Sequence, residues 1–216
     1  MRFTSRLAAA LLALGSATPV LAQQASDDGN AMPQTIVAGF RHARFGMTEE
    51  NVRQAISVDF HIGKDKIKRV EDPVNRTTVL EVIVPDVLPD GGKAAVDYLF
   101  GYHSRDLFSV SVTWSSKLDP TVTAKVLGSD ADTLRHYFGN AGYKADSIKL
   151  NFLVAGLGLV LFQGSDVEGH LTRLAFGGDM TEDQQNHLHL QPTELTVQYI
   201  ADPANPDTFR IAPGQF

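Results

Sequence analysis

The stretch KAAVDYLFGYHSRDLFSVSVTWS, residues 93–115, decides the fold. In its first run Val96, Tyr98, Phe100 and Tyr102 alternate with Ala95, Asp97, Leu99 and Gly101. In its second, Phe108, Val110, Val112 and Trp114 alternate with Ser109, Ser111, Thr113 and Ser115. A period of two, with bulky groups on one side and hydroxyls on the other, marks half-buried antiparallel strands. His103-Ser104-Arg105-Asp106 between them supplies a polar turn, so the pair reads as a hairpin. The aromatic row needs a cover, and amphipathic helices on either side offer one.

Upstream, Thr48 is an N-cap, Glu49 and Glu50 place negative charge in a first turn, and Val52, Ala55 and Ile56 form a helical stripe ending about Val58. Lys64 to Glu71 is charged and alternating, an edge strand or a loop. Thr77 to Val84, rich in β-branched residues, predicts a central strand. Pro85 to Gly92 is a long turn into the hairpin. Residues 40–115 therefore read as one helix followed by a three- or four-stranded meander.

Downstream, Asp119-Pro120 repeats a helix-start signal, and Ala124, Leu127, Ala131, Leu134 and Phe138 recur at helical spacing. Gly128-Ser129 weakens the middle and allows two shorter helices. Asp130 and Asp132, like Glu49 and Glu50, then read as carboxylates at helix starts, explained by capping. Strands follow at Ile148–Val154, Gly158–Gln163 and Leu171–Phe176, with Glu194–Ile200 as a final addition. The expected fold class is α+β: helices packed on antiparallel β-meanders, with two helix-plus-meander halves (40–115 and 119–200) forming one sheet. The halves do not align residue by residue.

The ends read differently. Met1–Ala22 has the form of a secretory signal peptide: Arg2 and Arg6, an apolar Leu7–Gly15, and a cleavage site before Gln23. Residues 23–34 are a polar leader, 35–200 the α+β domain, and 201–216, with Pro203, Pro206, Pro213 and Gly214, an irregular tail. Without Arg2 and Arg6, 17 basic residues of the 19 face 25 acidic ones. That balance, with no basic stripe, argues against nucleic acid and against anionic lipid heads. No second long apolar segment predicts a membrane span. Cysteine is absent, which excludes disulfides, thiol catalysis and a lipid anchor on an N-terminal cysteine. These features point to a periplasmic or secreted protein.

Chemistry is sparse. Among seven histidines, His187 and His189 form the one close pair and would share a strand face, with Asp179, Glu182 and Asp183 upstream as further oxygen ligands. They are the candidate metal ligands, set against a solvated loop. Gly164-Ser165-Asp166-Val167-Glu168-Gly169 lacks the nucleophile-elbow pattern, and Gly156-Leu157-Gly158 lacks the third glycine of a phosphate loop. No catalytic residue and no cofactor is expected. The aromatic row offers a ligand groove or a core; as a groove its candidate binding residues are Tyr98, Tyr102, His103, Arg105 and Trp114. The hydroxyl row Ser109, Ser111, Thr113, Ser115 offers a flat polar face, and its free edge could accept a strand.

Phe45-Gly46-Met47-Thr48-Glu49-Glu50-Asn51-Val52, followed by a meander, resembles the opening of small periplasmic modules of the outer-membrane-assembly lipoprotein (BamE-like) and beta-lactamase-inhibitor-protein-like type. The segments Val84–Gly92 and Tyr98–Trp114 are also similar to uncharacterised secreted proteins of Gram-negative bacteria. The first resemblance implies helices on antiparallel sheets that act by binding other proteins. The chain departs from the lipoprotein pattern by lacking the anchoring cysteine. The expectation is therefore a non-enzymatic protein binding another protein or an envelope component through a sheet face or edge. The alternative is a small-molecule pocket protein or hydrolase built on the aromatic row.

Overall fold

The structure, a computed structural model, describes residues 34–183, 188–211 and 214–215. The expected signal peptide, all but the last residue of the leader, and His187 lie outside the described residues. The described chain is α+β. A two-stranded hairpin, β1 (Gly39–Phe40) and β2 (Ala43–Arg44), leads into helix α1 (Glu49–Phe60). Strands β3 (Lys68–Asp72), β4 (Thr77–Val84), β5 (Ala94–Phe100) and β6 (Leu107–Ser115) follow as an antiparallel meander. Helix α2 (Ala124–Gly139) then precedes β7 (Phe152–Val154), β8 (Gly158–Ser165), β9 (Leu171–Glu182) and β10 (Leu188–Ile200), a second antiparallel meander.

All eight strands belong to one sheet, in the order β3-β4-β5-β6-β10-β9-β8-β7. The meanders meet last strand to last strand, β6 beside β10 and antiparallel to it, with Val112 opposite Val197. Joined, the two meanders and the two helices share a single core. Into it point Leu80, Val82, Val96, Tyr98, Phe100, Val110, Val112, Trp114, Phe162, Leu174, Leu195 and Val197 from the strands. Val52, Ala55 and Ile56 come from α1, and Leu127, Ala131 and Phe138 from α2. Each large apolar side chain enclosed here contributes roughly 1.5–3 kcal/mol.

Local chemistry explains the boundaries. Thr48 caps α1 by accepting the Asn51 N–H, with Glu49 and Glu50 in the first turn, as its residue types predict. The helix runs two residues past Val58 and ends on His61 in the left-handed region, φ 56°. The second helix departs from expectation at its start. Thr123 is the cap, accepting the Val126 N–H at 3.4 Å, and Asp119-Pro120 lies outside the helix. Asp119 instead accepts N–H groups of Thr121 (3.0 Å) and Lys93 (3.1 Å), tying the α2 approach to the start of β5. Gly128-Ser129 does not divide α2. An interior glycine costs about 1 kcal/mol relative to alanine, less than the packing of Leu127 and Ala131 around it returns. Asp130 and Asp132 are therefore mid-helix residues, and capping does not explain them.

Two strand details also differ. The register shifts between Leu99 and Phe100, so Phe100 faces Leu107 and Phe108 is the extra residue. Leu107, not Phe108, takes the core position. In the second half β9 and β10 extend well beyond the apolar runs that signal them, to Glu182 and back to Leu188. Lys64 to Glu71 resolves into a short 3-10 turn (Lys64–Lys66) and the edge strand β3. Its charged side chains, with Arg69 bound to Glu49 at 3.0 Å, discourage further strand pairing there.

Candidate functional site

Because α1 and α2 both pack into one core, they occupy the same face of the sheet. The opposite face carries the alternate positions of every strand. Register lines them up: Lys68, Glu81, Asp97, Ser111, Gln198, Arg173, Gln163 and Lys149 stand opposite one another from β3 to a bridge beyond β8. At about 4.8 Å per strand this is a polar row about 30 Å long. Its end residues Lys68 and Lys149 are exposed, and the six between them are half-buried. On one side run Val79, Leu99, Ser109 and Ile200; on the other Ile83, Ala95, Thr113 and Thr196.

The row is partly self-satisfied. Lys68 Nζ lies 3.5 Å from Glu81 Oε1. Arg173 donates from Nε to Gln163 Oε1 at 3.0 Å and from Nη1 to Gln198 Oε1 at 3.4 Å. Thr113 and Thr196 share a hydroxyl hydrogen bond of 3.1 Å, and Ser109 Oγ donates to the Tyr199 carbonyl. Two half-buried charges are left over. Asp97 Oδ1 is enclosed with no hydrogen-bond partner. Burial, with the Glu81 charge adding and Lys68 opposing, pushes the Asp97 carboxyl up to about 6. Arg173 is paired with amides, not carboxylates, and burial lowers the pKa of its guanidinium. Three strand spacings, about 14 Å, separate the two, so they do not neutralise each other. Chemically the row offers a carboxylate, a guanidinium, amides and hydroxyls in fixed positions on a rigid sheet. Ser111 stands beside Asp97, and the row itself contains no histidine.

The residues expected to line an aromatic groove divide into two groups. Tyr98 and Trp114 are 0% and 1% exposed and pack within the core; their expected role toward a ligand is corrected to packing. Their OH and Nε1 groups are enclosed without partners, a cost that the surrounding apolar burial offsets. Tyr102 falls beyond the end of β5, with His103 and Arg105 exposed beside it. There the irregular tail docks: Asp207 accepts the His103 and Ser104 N–H groups at 3.0 and 2.9 Å, and Phe209 packs against Tyr102. Arg76 stacks on Phe209 at 3.8 Å. The turn is thus a closure point for the tail.

His189 is exposed and bonded through Nε2 to Asp183 Oδ2 at 2.9 Å, while its expected companion His187 lies outside the described residues. Among the described residues no group of three or more histidine and carboxylate side chains is gathered as a metal site would require, and no helix is long and apolar enough to cross a membrane. Sequence reasoning noticed the hydroxyls of β6 but missed Asp97, Gln198, Arg173 and Gln163. Their alternation within each strand was legible; their alignment across five strands depends on register. No family model, curated protein or solved structure matches this chain.

Proposed function

We propose that the chain is a periplasmic or secreted, non-enzymatic protein that docks another protein on the helix-free face of its sheet. The observation that carries this reading is the transverse polar row with its uncompensated Asp97 and Arg173. A half-buried carboxylate whose enclosed Oδ1 has no donor destabilises the folded chain on its own, and a partner that supplies one turns that cost into binding specificity. The bordering aliphatic and small residues give the mixed surface typical of non-obligate interfaces. Export rests on the form of residues 1–22, and the resemblance of Phe45–Val52 to protein-binding periplasmic modules supports the same reading.

Photo-crosslinking residues placed at Ser111 and Thr113, in cells that make the protein, test the reading against a control at Ser57 on α1. A discrete protein adduct is expected from the two sheet positions and not from the control, and Arg173→Ala should weaken it. Adducts of lipid or glycan alone would transfer the reading to an envelope component. Identical patterns from all three positions would refute the assignment of the face. N-terminal sequencing of the exported form should begin at Gln23.

A further inference from the structure

A second unpartnered carboxylate lies on the other side of the molecule, where the loop over residues 85–92 crosses α2. Val126, Asp130 and Thr133 are spaced four and three residues apart and form a strip beside the core stripe of Leu127, Ala131 and Phe138. Asp130 is 8% exposed, and its Oδ2 is enclosed with no hydrogen-bond partner. Burial raises its pKa. The loop approaches α2 closely at residue 91: a Cβ there would stand 2.8 Å from Asp130 Oδ2 and 3.1 Å from Leu88 Cβ. Beside this contact opens a cavity of 530 Å³, with Leu88, Pro89 and Val126 as apolar walls and Ser129 and Thr133 at the rim. The volume is in the range of small-molecule sites.

Oδ2, under Gly91, draws no hydrogen bond from within the chain, and the Asp130 side chain also lines the cavity, so the carboxylate has no donor of its own to displace. We propose that this crevice binds a small organic amine, its ammonium on the Asp130 carboxylate and its apolar body along Leu88, Pro89 and Val126. A monodentate carboxylate between apolar walls matches one cation on a hydrocarbon. It does not match a divalent metal, which needs several oxygen ligands. Asp90 and Lys125 also line the cavity with opposite charges, which leaves Asp130 as the net negative group and fits a single ammonium.

The test is a titration of the isotopically labelled mature chain, followed by backbone amide shifts near neutral pH. The probes are n-hexylamine and 2-phenylethylamine, with n-hexanol as the neutral counterpart. Saturable shifts at residues 88–91 and 125–133 are expected with the amines, and binding of hexanol weaker by about tenfold or more, as loss of a charged partner requires. Asp130→Asn should bring the amines down to the hexanol level. Val126→Trp, which fills the crevice from the half-exposed side, should abolish binding of both and keeps the test decisive if Asp130→Asn does not fold. No saturable shift with either amine below about 10 mM, or equal amine binding by Asp130→Asn, overturns the proposal. Loss of the crosslinked partner of the sheet face would leave this result untouched, because the two sites share no residue.

Discussion

Asp97→Asn removes a charge that the folded chain holds at a cost, and the structure sets the size and the pH window of the effect. The carboxyl's ordinary value of 3.8 is pushed up to about 6 by burial, with Glu81 adding to the shift. The folded state therefore binds the proton more tightly than the unfolded state. Stability contributed by the protonated form is fully present below about pH 4 and is lost as pH rises through about 6. The shift corresponds to about 3 kcal/mol at 1.36 kcal/mol per unit, and partial solvent contact along the open face reduces the expected gain to about 1–2 kcal/mol. Asparagine matches the shape and carries no charge. The variant should equal the parent at pH 4 and exceed it above pH 7, with a melting temperature higher by about 2–4 °C for each kcal/mol. Urea denaturation of both proteins across this range, compared as a difference at each pH, isolates the one group from all other titrations. A difference that does not change with pH, or a variant less stable at pH 8, would refute the claim that an uncompensated carboxylate sits in the row. A gain in stability together with weaker crosslinking from Ser111 would show the trade expected of a binding surface.

Three further outcomes follow from packing and hydrogen bonding. Trp114→Ala should lower unfolding free energy by about 3–5 kcal/mol in chemical denaturation, because Trp114 is enclosed at the centre of the core and leaves a cavity. Asp166→Ala should cost about 3 kcal/mol or more, since the buried carboxylate accepts N–H groups of Val37, Glu168 and His170 at 2.8–2.9 Å and each would be left without an acceptor. Asp207→Ala should release the tail at a cost of about 1–2 kcal/mol, read as faster hydrogen exchange at His103 and Ser104 with little change in β4.

Much of the fold was legible because burial imposes a period. Val96, Tyr98 and Phe100 alternate since one face of β5 meets the helices, and Val52, Ala55 and Ile56 recur at helical spacing since α1 meets the same core. Where one residue type serves two roles the reading slipped. Asp119-Pro120 has the letters of a helix cap but folds as a turn, and Thr123, less conspicuous, is the cap. Phe108 continues an aromatic alternation that a bulge interrupts. Asp130, read as a capping residue, is buried against the loop at Gly91, a contact made by residues about forty apart in the chain.

By itself the sequence determined the main kinds of element: amphipathic helices, strands of half-buried pattern, and a chain without cysteine chemistry. These follow from local propensity and from the hydrophobic period, which every short segment carries within itself. Only the tertiary structure decided that the two meanders join through β6 and β10, in what register, and that both helices lie on one side of the resulting sheet. That pairing joins residues about eighty positions apart, where no local periodicity can set the register. The same register aligns Asp97, Ser111, Gln198 and Arg173 into a row, and closure of the loop over α2 places Asp130 beneath Gly91. Both candidate sites are products of long-range pairing, and for that reason neither was visible in any one stretch of the chain.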